Sequence, residues 1–422
     1  MKISHAARYA GCVQSLPSRR DFGRFAAATA LCGGLTSGQP VVPAPGRVKI
    51  IGFKIYKVTV RWRDLLFLEI HTDAGLTGLG EATLEGRSAQ AEAALRWLEE
   101  DFIGRDPGGP EEHWNRVYYQ LSRWRNGPDA MTALSAVDIA LWDLQAKRFG
   151  VPLWQLLGGR LTEKSRVYYT HWGASLERNR VASAFHDWAI ETKAKGWTAV
   201  KWTLSPQGSE PERILASRKE FEAFRNAVGS SMDFAVEAAE TFSVRSAIGF
   251  ANAIAEYRPL FIEEPVLREN IPGLSEVAAK SSIPISTGEG LFSRYEFLSL
   301  LEARGAAIIQ PDVLHAGGVT ELRKIANLAE TYGVEIAPHQ CSGPLGHLAS
   351  LSAMASCRNF MIQEWEAADD GLFQELTNGT YPVQQQGYVK LPDSTGLGIR
   401  IDFDDFVKRC PFLPSKRRAL VK

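Results

Sequence analysis

Leu260-Phe261-Ile262-Glu263-Glu264-Pro265 is a short apolar run that ends in acid and is stopped by proline, and Pro284-Ile285-Ser286-Thr287-Gly288-Glu289 repeats the form, its last acid 26 residues after Glu263. A few apolar residues bounded by turn formers read as a buried strand. Working outward, runs of the same kind lie at Phe234 to Val236, Ala199 to Trp202 and Val167 to Tyr169 on one side. On the other side they lie at Ala307 to Ile309, Val334 to Ala337 and Phe360 to Ile362. With Leu260 to Ile262 and Pro284 to Ser286 this makes eight strands, separated by amphipathic helical stretches. Such alternation predicts an α/β fold, a parallel (β/α)8-type barrel.

Residues just past the C-terminal ends of barrel strands meet at one mouth. Here those positions hold Lys201, Glu237, Glu263, Glu289, Asp312, His339 and Glu364. From Glu237 onward the steps are 26, 26, 23, 27 and 25 residues, about one strand-helix unit each. A single acid at a strand end commonly caps the next helix or faces water. Three on adjacent strands would repel one another at close range, and a hard divalent cation with oxygen ligands resolves that repulsion. Glu237, Glu263 and Glu289 are therefore the candidate metal ligands, with Mg2+ the natural ion. Asp312 and His339 follow on consecutive strand ends, where a carboxylate can hold one imidazole nitrogen and leave the other free as a base.

Outside the barrel the pattern changes. From Val48 to Ile70 two apolar stretches flank the polar Arg61-Trp62-Arg63-Asp64 and lead into a turn-rich segment with Gly75, Gly78 and Gly80, which predicts a small antiparallel sheet. Ala89 to Phe102 and Met131 to Phe149 carry apolar residues at helical spacing, and Gly150-Val151-Pro152 closes the second helix. An α+β domain is expected over residues 47–160 and the barrel over 161–371. Residues 372–422 have no strand-helix period and are expected to return to the first domain.

The 422 residues are 45% hydrophobic, enough for a large core, and Lys+Arg balances Asp+Glu at 48 each. No basic face stands out, so nothing points to nucleic acid or an anionic membrane surface, and a small molecule is the expected partner. Residues 1–46 differ from the rest: Ser18-Arg19-Arg20-Asp21-Phe22 precedes a mildly apolar run from Phe25 to Leu35, then Pro40, Pro43 and Pro45. This resembles a twin-arginine export segment, which predicts a periplasmic protein, or a cytoplasmic one where the segment does not act as a signal. Its apolar run is too short to span a bilayer. It carries five basic residues and one acid, so its removal shifts the net charge from +0 to −4. Cys12 and Cys32 lie within it; Cys341, Cys357 and Cys410 remain, without metal-type spacing, and are expected to be free and buried.

Taken together, Phe261-Ile262-Glu263-Glu264-Pro265, Ser286-Thr287-Gly288-Glu289, Gln310-Pro311-Asp312 through Ala316-Gly317-Gly318, Ala337-Pro338-His339 and Ile362-Gln363-Glu364 resemble the enolase superfamily in its mandelate racemase subgroup. Ala136 through Asp143 and Leu156-Leu157-Gly158-Gly159 match the joint between that family's capping domain and barrel, so the resemblance runs from about Val48 to Asp402. It implies a modified barrel under an α+β N-terminal capping domain, with magnesium on Glu237, Glu263 and Glu289. It further implies His339 as acid/base oriented by Asp312, and Glu364 as partner of a substrate carboxylate or enediolate oxygen. The implied reaction removes the proton next to a carboxylate, most simply to dehydrate a sugar acid to a 2-keto-3-deoxy acid, in a symmetric homo-oligomer.

Two departures shape that expectation. Racemising relatives carry Lys-x-Lys after the second strand, whereas Lys201-Trp202-Thr203 keeps only the first lysine, so a second base on the opposite face is absent. Galactonate-type dehydratases carry a leaving-group histidine two residues after the first metal ligand, where Ala239 follows Glu237 here. What survives is a one-base site in which His339 takes the proton and returns it to the departing hydroxyl. Glu240, Thr203 and His171 lie near strand ends as possible assistants, and Arg61, Trp62, Arg63 and Arg87 as possible specificity residues. Two other readings stay open: a lactone cycloisomerase using the same enediolate chemistry, and an inert sugar-acid binding protein of the cell envelope.

Overall fold

In the computed structural model, residues 48–413 are described apart from 122, 124, 175–179 and 206–207, so the export-type segment 1–46 lies outside the described residues. Eight parallel strands run in the order β10-β9-β8-β7-β6-β5-β4-β11. They are β4 (Ser165–Tyr169), β5 (Ala199–Thr203), β6 (Asp233–Glu237), β7 (Ile262–Glu263), β8 (Ile285–Thr287), β9 (Ile308–Ile309), β10 (Glu335–Ile336) and β11 (Gln363–Trp365). Every expected strand is present. The last is set three residues later than its apolar run suggested, because Phe360 bridges to Ile336 and the ladder with β4 begins only at Gln363. Bonds from Ile336 N to Asn359 O (2.9 Å) and from Met361 N to Ile336 O (2.9 Å) join the two ends of the sheet.

The strand period of two decides what fills the barrel. Tyr168, Ala199, Ala235, Phe261, Ile308, Ala337 and Ile362 form one buried apolar layer inside. Two residues on, the same inward face carries Thr170, Lys201, Glu237, Glu263, Gln310, His339 and Glu364. An apolar floor therefore supports a polar ring. Outside, α5 (Ala182–Ala194), α6 (Glu210–Val228), α7 (Val244–Ile254), α8 (Ile271–Lys280), α9 (Ser293–Glu302), α10 (Gly318–Thr331) and α11 (Pro344–Met354) alternate with the strands, the short α4 (Leu153–Leu156) preceding β4 and the short α12 (Asp370–Leu376) following β11.

The N-terminal sheet is antiparallel, β1 (Ile50–Val60), β2 (Arg63–Thr72) and β3 (Thr77–Glu81), with Arg61-Trp62 as the tip of the first hairpin. Helices α1 (Ser88–Phe102) and α3 (Pro128–Phe149) pack on it around a second apolar core. Between them lie α2 (Pro110–Arg116) and a π-helical turn at Val117–Leu121, which sequence periodicity did not reveal. Gly78 and Gly80 let α3 lie directly on β3: a Cβ at either would come within 2.2 Å of the carbonyl oxygen of Ala140 or Ala136. Asp138 accepts from Thr320 N (2.9 Å) at the start of α10, and Asp143 accepts from Leu79 N (2.9 Å) and Leu397 N (2.8 Å). These bonds give the Ala136 to Asp143 motif its physical content.

The C-terminal segment is shared between the two sheets. β12 (Tyr388–Val389) pairs antiparallel with β4, while α13 (Phe403–Arg409) stacks Phe403 on Tyr56 at 4.4 Å. Pro411 bridges to Val58 and Leu413 N donates to Thr59 Oγ1 (3.0 Å), so the chain end covers part of the free edge of β1. Cys341, Cys357 and Cys410 are free thiols, the first two buried. Among the described residues no helix is long and apolar enough to cross a membrane.

Candidate active site

The polar ring at the mouth is built by consecutive strand ends. Glu237, Glu263 and Glu289 each bring a carboxylate oxygen to within 4.8 Å of the others. Glu289 is out of the two-residue period, and Gly288, at φ +130°, supplies the turn that brings it in; a Cβ there would meet Phe297 at 2.7 Å. Lys201 Nζ lies 2.7 and 2.6 Å from the two oxygens of Glu263 and 2.9 Å from Glu364. Gln310 Nε2 donates to Glu263 Oε2 (2.7 Å), a partner the sequence quoted only as part of a motif.

His339 is held through Nδ1 by Asp312 Oδ2 at 2.7 Å, and Asp312 is itself fixed by the Leu314 N–H at 2.7 Å. The other ring nitrogen faces the acids, 3.3 Å from Glu289 and 3.7 Å from Glu364. Glu364 accepts from Thr170 Oγ1 (2.5 Å) and Gln340 N (2.7 Å), which fixes its plane. All seven strand-end residues expected from the sequence thus converge in one continuous cluster. The arrangement can hold a hard cation on one side and present an oriented imidazole on the other.

Two domain families match this chain: the mandelate racemase / muconate lactonizing enzyme N-terminal domain over residues 41–158 and the enolase C-terminal domain-like family over residues 184–406. The chain belongs to the enolase superfamily. Within this superfamily it is similar to the D-galactonate dehydratase of Ralstonia nicotianae, 34% identical over 397 residues that span 88% of this chain and 97% of the relative. The D-galactonate dehydratase of Cronobacter sakazakii is 36% identical over 375 residues, 86% and 94% of the two chains. The solved mandelate racemase/muconate lactonizing enzyme from Jannaschia sp. CCS1 has a TM-score of 0.80 at 32% identity, covering 87% of this chain and 99% of its own.

The electrostatics of this enolase-superfamily site follow from packing many charges where water is scarce. Burial, with Glu263 beside it, pushes the Glu237 carboxyl well above its ordinary range, and Glu237 makes no ion pair among the described residues. Burial also works against Glu364, but Lys201 and His339 outweigh it and hold that carboxyl well below the usual carboxylate value. For His339 burial disfavours the charge, yet Glu364 and Glu289 raise its pKa well above the imidazole value. Such a cluster has excess negative charge, and oxygen donors from three carboxylates suit a small divalent cation.

The secondary candidates separate. Arg63 is buried and spent on Asp369 and on Ser342 O (3.1 Å), so it ties the hairpin to the barrel instead of facing the mouth. Glu240 is paired with Arg268 at 2.7 Å, which removes it from the free acids. Thr203 pairs in register with Glu237 and is exposed. Arg61 and Trp62 stay half-exposed at the hairpin tip, Trp62 with its ring edge-on to His171 at 5.3 Å. Sequence reasoning missed Glu85, an exposed acid of the loop before α1, and Cys341, which lies 3.7 Å from it and 3.6 Å from His339 Nε2.

Proposed function

We propose that the chain dehydrates a sugar acid to a 2-keto-3-deoxy acid, using magnesium held by Glu237, Glu263 and Glu289 and His339 as the base. The observation that carries this reading is the His339–Asp312 pair at 2.7 Å, with the free imidazole nitrogen turned toward the acids of the ring. Magnesium held there would supply the positive charge that binds the substrate carboxylate, makes the neighbouring proton acidic and offsets the acids that otherwise keep His339 protonated. Glu364, fixed from two sides, is set to hydrogen-bond a carboxylate or enediolate oxygen. Lys201 balances the charges of Glu263 and Glu364 and meets the same developing anion. With Thr203 on the opposite side, His339 is the one residue assigned to the α-proton.

The likeness to two D-galactonate dehydratases supports dehydration over ring opening of a lactone. A pure binder has no use for an imidazole oriented by a buried carboxylate. The twin-arginine-type segment supports a periplasmic site of action. Screening mono- and diacid sugars with magnesium present, and following semicarbazide-reactive keto acid, tests the assignment. Loss of water with keto-acid formation that chelator abolishes is the expected result; a product of unchanged mass would replace dehydration with cycloisomerisation.

A further inference from the structure

His171 sits just past the end of β4 with its backbone held at a left-handed φ of 50°. Its Nδ1 lies 2.7 Å from Glu366 Oε2. This repeats the construction of the first pair: 2.7 Å again, with the carboxylate side chain 1% exposed at Glu366 and 0% at Asp312. The imidazole of His171 is 33% exposed, and its Nε2 makes no hydrogen bond among the described residues. Glu366 has cationic neighbours besides this imidazole, Arg61 and Arg63 at 4.0 Å, and its other oxygen accepts from Ala368 N at 3.3 Å, so its charge does not depend on His171 alone.

Its position relative to His339 is fixed by the sheet. Strand β11 lies between β10, after which His339 projects, and β4, after which His171 projects. Glu364 on β11 reaches both sides: Oε2 is 3.7 Å from His339 Nε2, and Oε1 accepts from Thr170, the residue before His171. A substrate whose acid group engages Glu364 therefore has one oriented imidazole on each flank. Around Glu237, Ala239 and Thr203 cannot deliver a proton as acids, Glu240 is paired with Arg268, and Lys201 is held between Glu263 and Glu364.

We propose that His171, oriented by Glu366, is the acid that protonates the departing β-hydroxyl. The proposal rests on the dehydratase reading and replaces only the expectation that His339 also serves the leaving oxygen. His339 takes the α-proton, and the C–H electron pair becomes the new carbon-carbon double bond. The C–O bond at the next carbon breaks, its electrons stay on oxygen, and the proton of His171 completes a water molecule. The enol then tautomerises to the keto acid, while His339 gives one proton to solvent and His171 regains one.

The test uses a leaving group that needs no proton. Wild type, His171→Gln and Glu366→Gln are compared on the sugar acid found in the screen, D-galactonate first, and on its 3-deoxy-3-fluoro analogue, with α-proton exchange followed in deuterium oxide. His171→Gln is expected to lower hydroxide elimination about 100- to 10,000-fold, to lower fluoride elimination less than about 10-fold, and to continue exchanging the α-proton. Glu366→Gln, which keeps the imidazole, should show the same selectivity with a smaller loss. Equal losses with both leaving groups, loss of exchange along with turnover, or a change confined to KM would each overturn the assignment. A wild-type enzyme that dehydrates no sugar acid takes down the parent reading, an outcome distinct from these.

Discussion

At His339 the chemistry depends on two atoms 2.7 Å apart, and the two sides of that contact differ in what they contribute. His339→Asn removes the imidazole, so turnover and α-proton exchange should both fall by about 100- to 10,000-fold while magnesium still binds, as isothermal titration would measure. Asp312→Asn leaves the ring present but poorly oriented, and should cost less. A His339 variant that exchanges the proton at a near-normal rate would point to another base. Glu263 is the hub of the other half of the site, touching Lys201 and Gln310 as well as standing between the two other acids. Glu263→Gln should therefore weaken magnesium binding and activity together; unchanged magnesium affinity would remove it from the ligand set. These residues were legible in the sequence because strand period and strand-helix spacing together fix which side chains meet. Glu366 was not legible, since its value comes from a histidine 195 positions earlier that no local pattern connects to it.

Among elements, the contact of β3 with α11 joins the N-terminal sheet to the barrel. Glu81, the last residue of β3, is buried and accepts from Gly343 N (2.7 Å) and Gly346 N (3.0 Å) at the start of α11. Glu81→Ala would leave two buried N–H groups without partners, a cost of about 2 to 6 kcal/mol. Because α11 begins a few residues after His339, kcat should fall as well as the urea midpoint. An unchanged midpoint would mean that water replaces the carboxylate. The strands and longer helices could be read from periodicity, as could the glycine stop of α3 at Gly150. The tie between Arg63 and Asp369 could not: Arg63 is one of a polar foursome at a hairpin tip, and nothing local distinguishes a guanidinium that faces solvent from one that crosses to the barrel.

For the whole molecule, the twin-arginine-type segment carries the proposal of export, and residues 411–413 close on the first strand. Replacing Arg19 and Arg20 with lysine should leave the protein in the cytoplasm, measured by fractionation; equal periplasmic recovery of the variant would rule out the twin-arginine reading. The described end of the chain has its own consequence. Thr59 in β1 receives its bond from Leu413, 354 residues later in the sequence. At a synthesis rate of about 5 to 20 residues per second, β1 waits roughly 20 to 70 s on the ribosome before that partner emerges. During that interval its outer N–H and C=O groups form an open template on which a neighbouring nascent chain could pair. Slower initiation, or a chaperone bound to the first hairpin, should therefore raise the soluble yield of this protein, measured as the soluble fraction after expression; an unchanged fraction would mean that the uncovered edge is harmless.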